Sequence, residues 1–488
     1  MLGTKRPSEE SGFKSVPPKG RRLKRKKMTK NGREDSDNRF EGSAEEVLLK
    51  DIKWLLQNTH SNGTPPSEER NDPPQLFSQL EASVTMLAST GDGLAVSEDG
   101  TRVFVIPFTI PGDKALIKVV KNYPSYSTTD MLEIREPSRN RRDDLVFCKY
   151  FGKCSGCQFQ MLSDDYQLEH KRQVVEKAMK NFSNLEPSLI PPVGKIMPSP
   201  LSKGYRTKLT PHFDGPRRGG FKEDAPVPDI GFQLKGRNFV LDIEDCPIGT
   251  QPVRDGMKFQ REHVQQNLHT FKRGATLLLR ESTQRQFSRA ASGDQLPHYE
   301  DTKSCITDSK AFVTEWVGNF KFSSPAGAFF QNNNSILPHF TDFIREQLYI
   351  PMASPEQGYV TNSYLIDAYC GSESAKKNAK ENGIQNARFI TGNAESIFVN
   401  IDFPPEQTSV VIDPPRKGCD ELFLSQLLSL SPKRIVYISC NVHTMARDIG
   451  WFVQQSSGRD YTIEKLGGFD FFPQTHHVEG YAVLSKSG

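Results

Sequence analysis

The sequence predicts a multidomain chain of mixed class, α/β plus β, and three observations carry that expectation. From Tyr364 onward, short apolar strands at Leu365–Tyr369, Phe389–Ile390, Val410–Ile412 and Ile435–Ile438 alternate with helical segments, the pattern of a parallel sheet covered by helices. Between Ser83 and Ile134 the runs are short and β-like instead: Val84–Leu87, Val103–Ile106 and Ala115–Val120, separated by Asp92-Gly93, Asp99-Gly100 and Pro111-Gly112. The length of 488 residues then leaves room for about three cores, at roughly 150 residues each.

The first element is a basic tail. Residues 1 to 30 hold eleven Lys/Arg against Glu9 and Glu10, so that segment is strongly positive while the whole chain is only +4. Residues 1 to 42 offer little to bury and read as disordered. The run Lys19–Lys27 suits nuclear import, RNA phosphate contact or a merely solvated tail. Ser43-Ala-Glu-Glu46 has the form of a capping box, and Leu48, Ile52, Leu55 and Leu56 share one face of the helix it opens. That helix should dock on a neighbour. Asn58 to Pro74 reads as a linker, and residues 1 to 75 form the first segment.

Residues 76 to 136 follow as a small antiparallel barrel of five short strands. An OB-like fold of this kind commonly grips single-stranded nucleic acid, although composition alone leaves an SH3-like barrel open. Leu168, Val175, Met179 and Phe182 then keep helical spacing to about Asn184. The remainder of a central region, 137 to 325, is strand-rich, with Ile230–Phe232 and Ala275–Arg280 as examples and a polar stretch from Glu281 to Asp308 expected as a surface loop. Residues 326 to 488 make the α/β region. No apolar run approaches the ~18 residues of a spanning helix, and an apolar secretory stretch is missing from the N-terminus, so the expected location is the nucleus, the cytoplasm or both. Eight cysteines, clustered in one place only, fit those compartments.

Two strand ends carry the chemistry. Val410–Ile412 runs into Asp413-Pro-Pro-Arg416, and Ile435–Ile438 runs into Ser439-Cys440-Asn441, one strand–helix–strand unit apart. Both groups then lie on the rim where open α/β sheets bind ligands. The prolines end the first strand and stiffen the loop, aiming a carboxylate and a guanidinium into the crevice. Cys440 in isolation would read as a small buried hydrophobe; at a strand end, followed by Asn441, it reads as a nucleophile. Cys148, Cys154, Cys157 and Cys246 form a second constellation, and four thiolates from two segments suit tetrahedral zinc or an iron–sulfur cluster.

Asp413–Gly418 together with Ile438–Asn441 resembles the RNA (uracil-5-)-methyltransferase family. Pro325–Asn333 resembles its Phe-Phe-Gln-x-Asn motif, and Asp470–Glu479 its closing motif. Tyr205-Arg206 and Ile230–Phe232 resemble its central domain, and the barrel its TRAM domain. Among the branches, the eukaryotic tRNA enzymes forming ribothymidine in the T-loop are nearest. The resemblance implies a Rossmann-like class I methyltransferase domain at the C-terminus and methyl transfer from S-adenosylmethionine to C5 of uridine in tRNA. Ribosomal RNA is the alternative substrate, a non-catalytic RNA-binding or tRNA-chaperone form the alternative role, and no protein partner is implied. It further implies that Cys440 adds to C6 and that Glu479 removes the C5 proton. Gln331, Tyr369, Gly371 and Asp413 would hold the cofactor, and Phe329 or Phe330 would flank the unstacked base or belong to the core. For the four clustered cysteines it favours a [4Fe–4S] cluster.

One departure stands out. Asp367–Ser372 begins the family's cofactor loop but is followed at once by Glu373–Ile384, which resembles what normally comes after a second strand. About one helix and one strand are absent, with the acidic residue that would hold the cofactor's ribose. The expected consequences are a gap in the sheet, a damaged fold and weak cofactor binding.

Overall fold

Ser43 opens helix α1 (Ala44–His60) as its capping box predicts. The Ser43 hydroxyl accepts from the Glu46 amide at 3.4 Å, and the Glu46 carboxylate reaches back to the amide of Gly42 at 2.8 Å. The molecule is described here by a computed structural model covering residues 41–60, 72–216, 218–288, 298–350, 363–370, 372–390, 392, 397–398, 401–455 and 457–487. The basic run Lys19–Lys27 lies outside the described residues.

Strands β1 (Gln79–Ser83), β2 (Met86–Leu87), β3 (Gly93–Val96), β4 (Val103–Ile106), β5 (Lys114–Asn122) and β6 (Tyr126–Glu136) form a six-stranded sheet in the order β1-β5-β6-β4-β3-β2. Along β5, Ala115, Ile117 and Val119 point inward while the intervening residues stay half-exposed, the period-2 pattern of a sheet with one buried face. The sheet is not wholly antiparallel as expected: the β5–β6 hairpin folds back so that β6 runs parallel to β4. Helix α1 docks on it, burying Ile52 and Leu55 against Ala88, Leu94, Val103, Val105 and Tyr126.

Helix α2 (Asp164–Phe182) is capped by Ser163, whose side chain accepts from the Tyr166 amide. The central region continues with β7 (Lys208–Leu209), β8 (His212–Phe213), β9 (Gly231–Gln233), β10 (Val240–Asp242), helix α3 (Gln251–Asn267), β11 (Ala275–Thr276), β12 (Leu279–Ser288), β13 (His298–Ile306), β14 (Phe312–Val317) and β15 (Phe320–Pro325). Three sequence expectations change here. Ala275–Arg280 is not one strand: it breaks after Thr276 and feeds two different sheets. The polar stretch expected as a surface loop is the β12–β13 hairpin, held by cross-strand pairs such as Arg285 with Asp301 (2.7 Å) and Lys303 with Glu281 (2.7 Å) rather than by apolar alternation. Helix α3 went unforeseen because Val253, Gly256, Met257 and Val264 are its only buried residues, a thin signal in a polar run.

The C-terminal region comprises helix α4 (Leu337–Leu348), β16 (Tyr364–Ala368), α5 (Ser372–Glu381), β17 (Thr408–Ile412), α6 (Glu421–Leu430), β18 (Arg434–Ser439), α7 (Val442–Gln454), β19 (Tyr461–Phe469) and β20 (Glu479–Lys486). Its sheet runs β16-β17-β18-β20-β19, with the first three strands parallel and β20 antiparallel to both neighbours. Both faces are buried. Val410, Ile412, Ile435, Tyr437, Ala482 and Leu484 pack toward α2, α6 and α7, while Val436, Ile438, Tyr481 and Val483 pack toward α4.

The expected gap in this sheet is absent. β16 pairs directly with β17 over five residues and stands at the edge among the described strands, so the loss of a strand beyond it would shorten the sheet from its side instead of hollowing it. Phe389–Ile390 forms no strand, and Ile390 is exposed. With the intervening strand lacking, that segment has no backbone ladder to join. Tyr364 and Leu365 on β16 are exposed.

Candidate active site

Parallel register brings the ends of β16, β17 and β18 to one rim, with Ala368 beside Ile412 and Ile412 beside Tyr437. β20 enters at that same rim, because Ser439 pairs with Gly480. Cys440, the residue after Ser439, therefore faces Glu479, the residue before Gly480. The two residues expected to carry the reaction meet through strand pairing alone. Asp413 and Arg416, on the loop after β17, complete the group.

The electrostatics are strongly perturbed. Burial pushes the half-buried Cys440 thiol up, Glu479 pushes it further, and the Arg416 guanidinium beside the sulfur opposes both. Glu479 is 2% exposed, its Oε2 has no hydrogen-bond partner among the described residues, and burial with help from Asp413 lifts its carboxyl to about 8. Burial lifts Asp413 to about 6 even though its side chain still reaches solvent at the rim. Asp367 rises to about 6 for the same reason, with Asp413 adding to it. Three carboxyls near one rim are thus shifted toward their neutral form.

Local geometry fixes the loops. Asn441 caps α7, its side chain accepting from the His443 amide at 3.1 Å and donating to the Arg416 carbonyl at 3.0 Å. Asp448 accepts from the Cys419 amide at 2.7 Å and from the Tyr437 hydroxyl at 2.6 Å, anchoring the far end of the Asp413–Cys419 loop. Tyr369 takes a left-handed backbone (φ +73°) where β16 ends and rests against Phe423. Gly371 lies outside the described residues. Gln331 is half-buried on the segment after β15, where Asn333 is locked by hydrogen bonds to Ser199 (2.9 Å) and the Phe471 carbonyl (3.3 Å). The structure separates the two phenylalanines that the sequence left equivalent: Phe330 packs against Phe322 and Arg280, whereas Phe329 is 80% exposed.

Comparison with known proteins shows the family to which the chain belongs. Residues 372–487 match the family model described as tRNA (Uracil-5-)-methyltransferase. The chain is 45% identical over 471 residues to a tRNA (uracil(54)-C(5))-methyltransferase of Schizosaccharomyces pombe, covering 91% of this chain and 84% of that one. A protein of the same name in Saccharomyces cerevisiae is 39% identical, with 90% and 78% covered. The chain belongs to the tRNA (uracil-5-)-methyltransferase family. The fold also matches the crystal structure of a Pyrococcus abyssi tRNA (uracil-54, C5)-methyltransferase in complex with S-adenosyl-L-homocysteine, with a TM-score of 0.57 at 20% identity over 83% of this chain and 100% of that one.

As a member of the tRNA (uracil-5-)-methyltransferase family, the chain supports its closing motif with residues that sequence reading missed. Lys171, fully buried on α2, pairs with Asp470 and donates to the Phe472 carbonyl at 3.0 Å. Gln167 exchanges hydrogen bonds with Gln474 (2.9 and 3.2 Å), and Gln158 accepts from His476 (2.7 Å). These partners are some 300 positions apart, and no local pattern signals them. Cys148, Cys154, Cys157 and Cys246 do line one cavity of about 210 Å³, together with Arg206. Burial pushes all four thiols up, Cys157 to about 12. Among the described residues, however, no group of three or more His, Cys, Asp or Glu converges as metal ligands. A single tetrahedral metal needs four sulfurs within ~2.3 Å of one centre, and sharing a cavity is a weaker relation. No helix among the described residues is long and apolar enough to cross a membrane.

Proposed function

We propose that the chain transfers a methyl group from S-adenosylmethionine to C5 of a T-loop uridine in tRNA, the uracil 54 specified in the names of its yeast relatives. The placement of Cys440 opposite Glu479, with Arg416 at the sulfur, carries this reading. Uracil C5 is a feeble nucleophile. Addition of the Cys440 sulfur to C6 pushes electron density onto C5, and Arg416 favours the thiolate needed for that attack. When bound, S-adenosylmethionine supplies an electrophilic methyl carbon. Glu479 in its carboxylate form then takes the C5 proton, and the Cys440 sulfur leaves C6 as the ring double bond returns. A carboxyl titrating near 8 is matched to moving a proton around neutral pH.

In this reading Gln331, Tyr369 and Asp413 hold the cofactor, and the Asp367–Asp413 pair complements its positive charge. Phe329 offers a free ring face for the unstacked base. The six-stranded sheet, the TRAM-like segment of residues 76 to 136, and the basic tail supply phosphate contacts. We also assign a [4Fe–4S] cluster to the four-cysteine cavity, supported by the shared lining and opposed by the lack of ligand convergence; no step above uses it. Stoichiometric iron and sulfide in anaerobically purified protein supports it, and their absence removes it.

Cys440→Ala should leave tRNA binding intact and abolish label transfer from methyl-labelled cofactor to tRNA. Retained transfer would refute the covalent route, and transfer to ribosomal RNA in preference to tRNA would refute the substrate. A second reading, RNA binding without methyl transfer, is favoured by one observation: β16 leads through the cofactor loop directly into α5, with no second strand.

A further inference from the structure

The turn before α1 touches the catalytic loop. The Gly42 carbonyl accepts from Asn441 Nδ2 at 3.2 Å, while the same side chain donates its other proton to the Arg416 carbonyl at 3.0 Å. Asn441 thus ties three segments together immediately beside Cys440. Gly42 is buried and adopts φ +80°, and a Cβ there would lie 3.0 Å from Thr444 Cγ2 and 3.2 Å from His443 Cβ. Only glycine brings its carbonyl this close without displacing α7.

The middle of α1 is fixed to different parts of the molecule. Asp51, 3% exposed, accepts from the Ser89 amide at 2.6 Å and pairs with Lys177 at 3.5 Å. Lys50 donates to the Asn181 carbonyl at 2.9 Å and sits over the Phe182 ring, which packs edge-on against His443. Ile52 and Leu55 are buried in the six-stranded sheet. A rigid helix therefore spans from that sheet to the residue next to the thiol.

We propose that Gly42 and α1 form a positioning strap that holds the Asn441–Arg416 contact, and through it sets the orientation of Arg416 against the Cys440 sulfur. This rests on the reading of Cys440 as the nucleophile. The strap touches no reacting atom. It makes the geometry of the thiol depend on the docking of α1 against the six-stranded sheet, the surface assigned to RNA.

The test is site-resolved alkylation of Cys440 by iodoacetamide in the full chain, followed by peptide mass mapping as a function of pH. The titratable groups facing the thiol are Arg416 and Asp413 from the loop after β17 and Glu479 at the start of β20. Gly42→Val should slow Cys440 alkylation at neutral pH by roughly tenfold, a displacement-sized effect, and move its pH profile upward. Glu46→Leu, which removes the acceptor for the Gly42 amide together with the ion pair to Lys50, should shift the profile the same way and carries the test if Gly42→Val fails to fold. Glu46→Gln, which keeps an oxygen there, should restore the original profile, and Lys53→Ala on the exposed side of α1 should not move it. An unchanged profile in the folded Gly42 and Glu46→Leu variants overturns the strap. Failure of Cys440 to alkylate in the unmodified chain overturns the nucleophile reading instead.

Discussion

Glu479 is the residue whose environment is most at odds with its chemistry. Its folded pKa of about 8 lies above the ordinary carboxyl value of 4.5, so folding favours the protonated form. Its contribution to stability is therefore fully present below the unfolded value and is lost as pH rises toward 8. Glu479→Gln, which cannot ionise, should gain on the original chain by roughly 3 kcal/mol between pH 5 and pH 8. Urea unfolding at both pH values checks this, and a pH-independent difference would show that the carboxyl is not desolvated. Lys171 makes the opposite case, since its charge is buried and paired with Asp470. Lys171→Met should cost about 3 kcal/mol by leaving Asp470 without its partner, and a variant as stable as the original in the same titration would show the pair to be replaceable. Cys440 and Glu479 are legible in the sequence because their neighbours spell a strand end and a closing motif. Lys171 is not, because in a helix it resembles any solvent-facing charge until its partner is known.

Among the elements, strands flanked by prolines or turn glycines were readable: β4, β17 and β18 fall where apolar runs place them. The β12–β13 hairpin was unreadable because its stability comes from cross-strand ion pairs and from burial of Glu281, Ser282 and Thr283 beneath β14, which no local hydrophobic period records. The shortened edge at β16 is a mixed case. The expectation of a missing helix and strand came from comparing the cofactor loop with the family's motif order; the sheet order puts β16 at an edge among the described strands, where such a loss spares the fold the cost of an emptied centre. The site does not escape. The resemblance places the carboxylate for the cofactor's ribose on a second strand, which the described residues do not contain, and the side chain of Glu373 lies outside the described residues. Calorimetric titration with S-adenosylmethionine should show weak binding, and a micromolar dissociation constant would show that the remaining crevice suffices.

For the whole molecule, the charge distribution sets how tRNA is held. The net +4 conceals eleven basic residues within the first thirty positions, so a chain starting at residue 41 should bind tRNA with a shallower dependence on salt, each lost phosphate contact lowering the log–log slope by about 1. Anisotropy titrations over a range of salt concentrations measure this, and identical slopes with and without the tail would remove it from the RNA interface. Residues from Phe40 onward form one compact unit, in which α1 and the turn before it reach the six-stranded sheet, α2 and Asn441. By itself the sequence determined the mixed class of fold and the strands that end at the rim, because apolar periodicity and turn chemistry are local and are written in consecutive residues, whereas Cys440 and Glu479 were singled out by the resemblance of their motifs to the family's. Only the tertiary structure decided that Arg416 stands against the sulfur, that Lys171 and Gln167 brace a loop some 300 residues away, that β16 stands at an edge among the described strands, and that Gly42 rests on Asn441. Those relations depend on which surfaces meet after folding, and long-range packing leaves no periodic trace in the chain.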